Sequence, residues 1–154
     1  MVDASRENFP TNVALTHRVV EMAHACGVTV EGELGYVAGE GGNARPGDVV
    51  YTPVEEARVY AERTQVDCLA VSVGAVHGPL RGRPRLDYER LKRIHEAVDI
   101  PLVIHGASGL SDEQIQLLLA GGVCPREGRG QLSRPPRSAR IRQLPAPADR
   151  PGAH

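Results

Sequence analysis

The chain has 154 residues and a net charge of −1, and it is long enough for one domain with a core of its own. No run approaches the ~18 consecutive apolar residues that cross a bilayer, and the first residues lack the pattern of a secretory signal, so we expect no membrane partner. Three cysteines without CxxC spacing favour a reducing cytoplasm, with Cys26 and Cys68 expected to be buried.

Segments with apolar residues at helical spacing alternate with segments typical of strands. With their caps, the predicted helices cover residues 12–25, 52–65, 87–97 and 111–121. The predicted strands cover residues 28–34, 68–74 and 101–105, and residues 1–3 add the stub of a fourth. Because strands and helices alternate with short connections, the order predicts an α/β fold with a parallel sheet and four β-α units. That is about half of an eight-fold barrel, or a small open sheet.

Polar residues at the predicted helix starts are typical of N-caps. Thr11 or Asn12 is expected to cap the first helix, and Thr52 the second. Asp87 is expected to cap the third helix. Ser111 stands three residues before a glutamine, which is the spacing of a capping box for the fourth helix.

Residues 124–154 differ in composition from the rest of the chain. They hold seven arginines, six prolines and two acidic residues, whereas residues 1–123 hold 11 basic and 17 acidic side chains. Such a segment cannot bury enough apolar surface to offset chain entropy, so we expect a domain over 1–123 and a disordered tail. A basic tail is also typical of nucleic-acid arms, but this one has no aromatic residues, and we expect no nucleic-acid partner.

Two histidines, His77 and His105, each follow an apolar run and precede a glycine. Runs of this kind are buried on both faces of a parallel sheet, and their carboxyl ends form the mouth where α/β enzymes keep catalytic groups. Histidines on consecutive parallel strands could share one zinc ion, because catalytic zinc usually has three protein ligands and one open position. A polar strand end, hydrogen-bonded to a neighbouring loop, is the alternative.

Small residues follow both histidines, namely Gly78 and the segment 106–109. They allow backbone N–H groups to approach a phosphate closely, and the start of a helix behind them adds a favourable dipole. A tight turn from strand to helix is the alternative explanation of these glycines.

Four segments, taken in order, resemble the class II aldolases, which are zinc-dependent fructose-bisphosphate and tagatose-bisphosphate aldolases. The segments are VEGELG at 30–35, YTPVEEA at 51–57, LAVSVG at 69–74 with His77 and Gly78, and LVIHGASG at 102–109. The resemblance covers residues 1–123, and its most specific blocks are ELG and HGASG.

The resemblance implies a TIM (β/α)8 barrel and the reversible cleavage of a ketose bisphosphate to dihydroxyacetone phosphate and glyceraldehyde 3-phosphate. It implies that His77 and His105 are two of three ligands of a catalytic Zn2+ ion, which polarises the ketone and stabilises the enediolate. It further implies an auxiliary metal at Glu33 and a cytoplasmic enzyme of carbohydrate metabolism, with a homo-oligomer possible. The implied contacts to dihydroxyacetone phosphate are Gly78, Gly106, Ala107 and Ser108.

The segment 39–48 resembles the mobile lid of the family, in which adjacent acidic residues act as acid or base. Glu40 is the candidate here, but Gly41 follows it, so the second acid is absent. A solvated loop carboxylate is the alternative interpretation of Glu40.

Parts of the family pattern have no counterpart in this chain. The first zinc-binding histidine and the catalytic aspartate are missing, and a segment rich in arginine and proline replaces the strand expected after residue 123. We therefore expect a truncated chain with a reading-frame shift near residue 123. The alternative function is a catalytically inactive aldolase fragment or a non-catalytic interaction remnant, and both ketose bisphosphates stay open as substrates.

Overall fold

Parallel pairing of three short strands organises the chain. The computed structural model describes residues 1–36, 49–75, 86–107, 110–121, 123 and 132–133. The strands are β1 (Glu31–Leu34), β2 (Cys68–Val71), β3 (Leu102–Ile104) and β4 (Leu132–Ser133). The helices are α1 (Phe9–Ala25), α2 (Val54–Thr64), α3 (Tyr88–Ala97) and α4 (Asp112–Ala120).

The sheet has the order β1-β2-β3-β4, in which the first three strands are parallel and β4 is antiparallel to β3. Val2 adds an isolated parallel bridge to Gly32 at the outer edge of β1. The predicted parallel sheet with alternating helices is therefore confirmed for these strands. Strand β4 falls in the segment 124–154 that the sequence predicts to be a disordered tail, and most of that segment lies outside the described residues.

The two faces of β1 have different neighbours. A side chain at Gly32 would meet Tyr60 of α2 and Val66, so this face is directed to the helices. Since successive residues of a strand point to opposite faces, Glu31 and Glu33 share the other face. The apolar core combines residues of the strands with residues of α2, α3 and α4. Its largest fully buried members are Tyr60, Leu69, Leu91, Ile94, Leu102, Ile104 and Leu118.

Two of the predicted caps are confirmed and two are wrong. Asp87 accepts a hydrogen bond from the Arg90 N–H, and Ser111 forms a complete capping box at α4. Helix α1 begins before residue 12, because the side chain of Asn8 accepts a hydrogen bond from the Thr11 N–H and serves as the N-cap.

Thr52 does not cap α2, because its hydroxyl has two partners in the sheet. It donates to the carbonyl of Leu34 at the end of β1 and accepts the backbone N–H of Ser72, 2.8 Å away, just after β2. Pro53 occupies the N-cap position with no side-chain hydrogen bond. Thr52 thus joins the carboxyl ends of two neighbouring strands instead of starting a helix.

A buried polar network ties α1 and α2 to β1. The amide of Asn12 donates to the carbonyl of Glu33 at 3.0 Å, and the Tyr60 hydroxyl donates to the Asn12 carbonyl oxygen at 3.0 Å. Thr16 completes the network, with its hydroxyl 2.9 Å from that of Tyr60. Burial raises the pKa of the Tyr60 phenol to about 12.

The structure tests the expected burial of two cysteines and the expected lack of a membrane-spanning segment. Cys26 is exposed at the end of α1, so the expectation that it is buried is wrong, and Cys68 is partly buried. In the part of the chain that the structure describes, no helix combines the length and the apolar character needed to cross a membrane.

We predict that Gly35→Ala destabilises the fold far more than Gly27→Ala. Both glycines have positive φ, but a Cβ at Gly35 would lie 2.6 Å from the Thr52 hydroxyl and 2.8 Å from the Val50 carbonyl, whereas one at Gly27 meets nothing within 4 Å. We expect a loss of about 2–4 kcal/mol at Gly35 and about 1 kcal/mol at Gly27, measured by urea unfolding. An equal loss of unfolding free energy in both variants would contradict the prediction that a Cβ at Gly35 clashes with Thr52.

We predict that the free energy of unfolding falls as the pH rises above 10, because the folded state raises the pKa of Tyr60 to about 12. Tyr60 stabilises the fold fully below its unfolded pKa of about 10 and loses this contribution toward pH 12, roughly 2–3 kcal/mol in all. Denaturant unfolding of the native chain and of Tyr60→Phe measures the difference. The variant should lose less stability over this pH range, and an equal loss in both proteins would refute the prediction.

Candidate metal and phosphate site

His105 lies directly after β3, at the carboxyl end of the parallel sheet. Its side chain is buried, with 6% of the residue exposed, and its Nε2 lies 2.8 Å from Oε1 of Glu31. Glu31 is 8% exposed and Glu33, on the same face of β1, is 4% exposed. The first and third strands are therefore linked by a buried imidazole–carboxylate contact in front of β2.

The second oxygen of Glu31 has a partner on the strand between. The Cys68 thiol, at the start of β2, donates to Oε2 of Glu31 over 3.8 Å. Register places Glu31 opposite Cys68, so the contact follows directly from the pairing of β1 with β2. One carboxylate of β1 thus contacts the side chain of Cys68 in β2 and the side chain of His105, which follows β3.

The electrostatic environment of His105 favours its protonated form. The hydrogen bond to Glu31 raises the pKa of His105, and the negative charges of Glu31, Glu33 and Asp3 raise it further. Burial acts in the opposite direction and does not overcome these effects. The carboxylates of Glu31 and Glu33 thus place negative charge beside the imidazole.

Gly106 and Ala107 directly follow His105 on the way to α4. Gly106 has a φ of +73°, Ala107 is buried, and the Ala107 carbonyl accepts the Leu110 N–H at 3.1 Å. The capping box of Ser111 already uses N–H groups at the start of α4. An anion bound at this end of the helix would therefore contact the backbone of residues 106 and 107.

The structure brings together only some of the residues that the sequence singles out. His105 and Glu33 lie at the mouth of the sheet, and Gly106 and Ala107 follow in the turn. The other candidates lie outside the described residues, namely Glu40, His77, Gly78 and Ser108. Within the described ranges, no three His, Cys, Asp or Glu side chains converge on a point that could hold a metal ion.

The donor chemistry at His105 nevertheless fits a metal ligand. Metal-binding histidines almost always donate their second ring N–H to a carboxylate or carbonyl, which fixes the ring. The contact between His105 and Glu31 has this form. The second histidine of the predicted site, His77, lies outside the described residues.

Glu31 is the site residue that the sequence analysis missed. The signal was present in the Glu-Gly-Glu spacing at 31–33, because two residues of a strand separated by one share a face. The resemblance pointed to Glu33 alone, whereas the direct partner of His105 is Glu31.

A cavity of about 580 Å³ lies elsewhere, at the starts of α2 and α3. It is lined by Tyr51, Leu86, Asp87, Tyr88 and Glu89. Neither His105 nor Glu31 lines it, so its size carries no argument about the candidate site.

We predict a double-mutant-cycle coupling of about 1–3 kcal/mol between Glu31→Ala and His105→Ala, because each variant leaves a buried polar partner behind. The coupling should be complete below pH 6.5 and fall as the pH rises through the elevated pKa of folded His105. Urea unfolding below pH 6.5 and at a pH above the pKa of folded His105 measures the coupling energy in each state.

The exposed pair of His24 and Asp67 is the matched control for this cycle. Its atoms also lie 2.9 Å apart, but the side chains are 41% and 37% exposed, so its coupling should stay below about 1 kcal/mol. A coupling at Glu31 and His105 no larger than this control would contradict the prediction.

Comparisons with known proteins match most of the chain. Residues 1–125 match the family described as fructose-bisphosphate aldolase class-II. The fructose-bisphosphate aldolase of Geobacillus stearothermophilus is 43% identical over 123 residues, which cover 80% of this chain and 43% of that protein. The fructose-bisphosphate aldolase of Thermus caldophilus is 49% identical over 126 residues, covering 79% of this chain and 41% of that protein.

A solved structure agrees with the sequence matches. The YdjI aldolase from Escherichia coli K12 superimposes with a TM-score of 0.66 at 40% identity, over 78% of this chain and 40% of that chain. The chain spans about two fifths of the length of the curated relatives it matches. The matched residues include β1 to β3 and the HGASG segment, and the chain belongs to the class II fructose-bisphosphate aldolase family.

Proposed function

We propose that this chain contributes part of the active site of a zinc-dependent aldolase that reversibly cleaves fructose or tagatose 1,6-bisphosphate. The observation that carries the proposal is the buried His105, held by Glu31 at the carboxyl end of β3, within a segment matched by the aldolase family. The products are dihydroxyacetone phosphate and glyceraldehyde 3-phosphate.

His105 and His77 are the proposed zinc ligands, and Glu33 is the proposed ligand of an auxiliary metal. Bound zinc supplies a Lewis acid for the substrate ketone. The buried carboxylates of Glu31 and Glu33 place negative charge near His105, which would favour a bound cation. His105 has a buried carboxylate partner, Glu31, at 2.8 Å.

The turn after His105 is the proposed contact for a substrate phosphate. Its positive φ at Gly106 and the small Ala107 leave room for backbone N–H groups to approach an anion. Ser108 and Gly78 are proposed to complete the contact. The carbonyl of Ala107 is already used by Leu110, so the binding groups at this turn would be N–H donors.

Cleavage breaks the bond between C3 and C4 of the ketose. The C4 hydroxyl loses its proton and becomes the aldehyde, while the electron pair stays on the dihydroxyacetone phosphate half, which then takes up a proton. Glu40 is the proposed acid or base of this chain for one of these transfers. A carboxylate suits the role when its pKa is tuned toward the working pH.

We also infer that residues 1–123 form about half of a (β/α)8 barrel, with residues 124–154 outside it. The support is the parallel order of β1, β2 and β3 with helices between them, and the likeness to aldolase structures over about two fifths of their length. A cytoplasmic setting and assembly into a homo-oligomer belong to the same proposal.

The proposal is tested by zinc binding and by cleavage of both bisphosphates with the purified chain. We expect zinc to bind, aldehyde release to stop on addition of a chelator, and His105→Ala to weaken zinc binding by at least about 100-fold. Competition with a chromophoric chelator measures the affinity, and a coupled assay measures the cleavage of each substrate.

His24→Ala is the matched control for His105→Ala. His24 is exposed at the end of α1 and pairs with Asp67 before β2, at the amino-terminal edge of the sheet, so zinc affinity should not change. A chain that binds zinc without cleaving either substrate would be a catalytically inactive aldolase fragment. A chain that neither binds zinc nor cleaves would refute the proposed function.

A further inference from the structure

The outer edge of β3 carries backbone groups that do not face β2. The Leu69 N–H donates to the carbonyl of Pro101 at 2.9 Å, so Pro101 and, two residues later, Val103 direct their backbone groups toward β2. Because this direction alternates along a strand, Leu102 and Ile104 direct theirs to the opposite edge. Both residues are fully buried, and backbone groups left unpaired there would be costly.

Strand β4 lies along this edge in antiparallel orientation. Its register sets Leu132 opposite Ile104 and Ser133 opposite Val103. Since the backbone groups of Ile104 face β4, Ile104 and Leu132 are the pair that exchanges both hydrogen bonds, and the Ser133 N–H is directed away from β3. A segment rich in arginine and proline thus joins the sheet through the backbone of Leu132.

The other edge of the parallel strands is also covered by a short segment. Val2 forms an isolated parallel bridge to Gly32, and its N–H donates to the Glu31 carbonyl at 2.7 Å. Short segments therefore flank the three parallel strands on both sides. Natural proteins protect sheet edges against pairing with other chains by short edge strands, prolines and charged side chains.

The sequence after β4 is suited to ending the sheet. Arg134, Pro135 and Pro136 follow Ser133 directly. A proline has no N–H to donate to a further strand, and charged residues discourage pairing between edges. The segment can therefore close the edge of β3 without offering an equally good edge of its own.

We propose that residues 132–133 are a built-in edge cover, which occupies the outer edge of β3 within the same chain and prevents a strand of a second copy from pairing there. The inference rests on the strand register and is independent of the proposed function. It concerns pairing through the sheet edge, so a homo-oligomer formed through other surfaces is compatible with it.

Amide hydrogen exchange in the native chain tests the pairing. We expect the N–H groups of Ile104 and Leu132 to exchange at least about 10-fold more slowly than that of Ser133, which is directed away from β3. In a mixture of ¹³C-labelled and unlabelled chains, NMR contacts between residues 104 and 132 should arise within one chain. Equal exchange at Leu132 and Ser133, or contacts between two chains, would overturn the proposal.

Two proline variants of the full chain test the protective role. Leu132→Pro removes the N–H that donates to the Ile104 carbonyl, so Ile104 should exchange at least about 10-fold faster. The average mass should also rise above that of the native chain as the protein concentration increases, because the β3 edge becomes available. Ser133→Pro is the matched control, since the N–H that it removes does not face β3, and it should leave both measurements unchanged.

Light scattering after size-exclusion chromatography measures the mass, and circular dichroism checks that each variant is folded. Leu132→Ala keeps the N–H, so it should keep Ile104 protected and separates the backbone pairing from the leucine side chain. The exchange measurement in the native chain keeps the proposal testable if Leu132→Pro does not fold. Equal masses of the two folded proline variants at every concentration, or equal loss of protection in Leu132→Ala and Leu132→Pro, would overturn the proposal.

Discussion

The buried hydrogen bond between Glu31 and His105 is the contact on which the candidate site depends. It joins the first strand of the sheet to the loop after the third, so it requires the parallel register of all three strands. Burying a carboxylate without a partner costs several kcal/mol, and a partner at 2.8 Å offsets much of that cost. Loss of either partner would therefore destabilise the fold and release the other side chain, so the orientation of the imidazole and the stability of the fold are coupled at these two residues.

Buried polar side chains of α1 and α2 hold β1 in place. Asn12, Thr16 and Tyr60 form hydrogen bonds with one another, and Asn12 also donates to the Glu33 carbonyl, in a region where an unpaired group would be costly. At the other end of the strand, Thr52 holds the Leu34 carbonyl. The strand that carries both glutamates is thus held by Asn12 of α1 at Glu33 and by Thr52 at Leu34.

The sequence predicts interactions between residues that are close in the chain and misses those between distant residues. The caps at Asp87 and Ser111 involve residues three positions apart, and both are confirmed. Thr52 has the same local pattern, but its hydroxyl is used by Leu34 and Ser72, 18 and 20 residues away, so a local rule could not foresee it. The pairing of Glu31 with His105 spans 74 residues and depends on strand register, which the sequence pattern left undetermined.

The arrangement also bears on the proposed binding of a metal ion beside His105. A histidine already turned by Glu31 loses little further conformational freedom when a cation arrives, which lowers the entropic cost of binding. The carboxylates of Glu31 and Glu33 are already buried beside it. The free-energy cost of removing them from water therefore belongs to folding and is not added when a cation binds. Preorganisation of this kind comes from Glu31 and requires no metal ligand beyond His105. In the proposed site, additional ligands would close the coordination sphere around a histidine whose orientation Glu31 has already set.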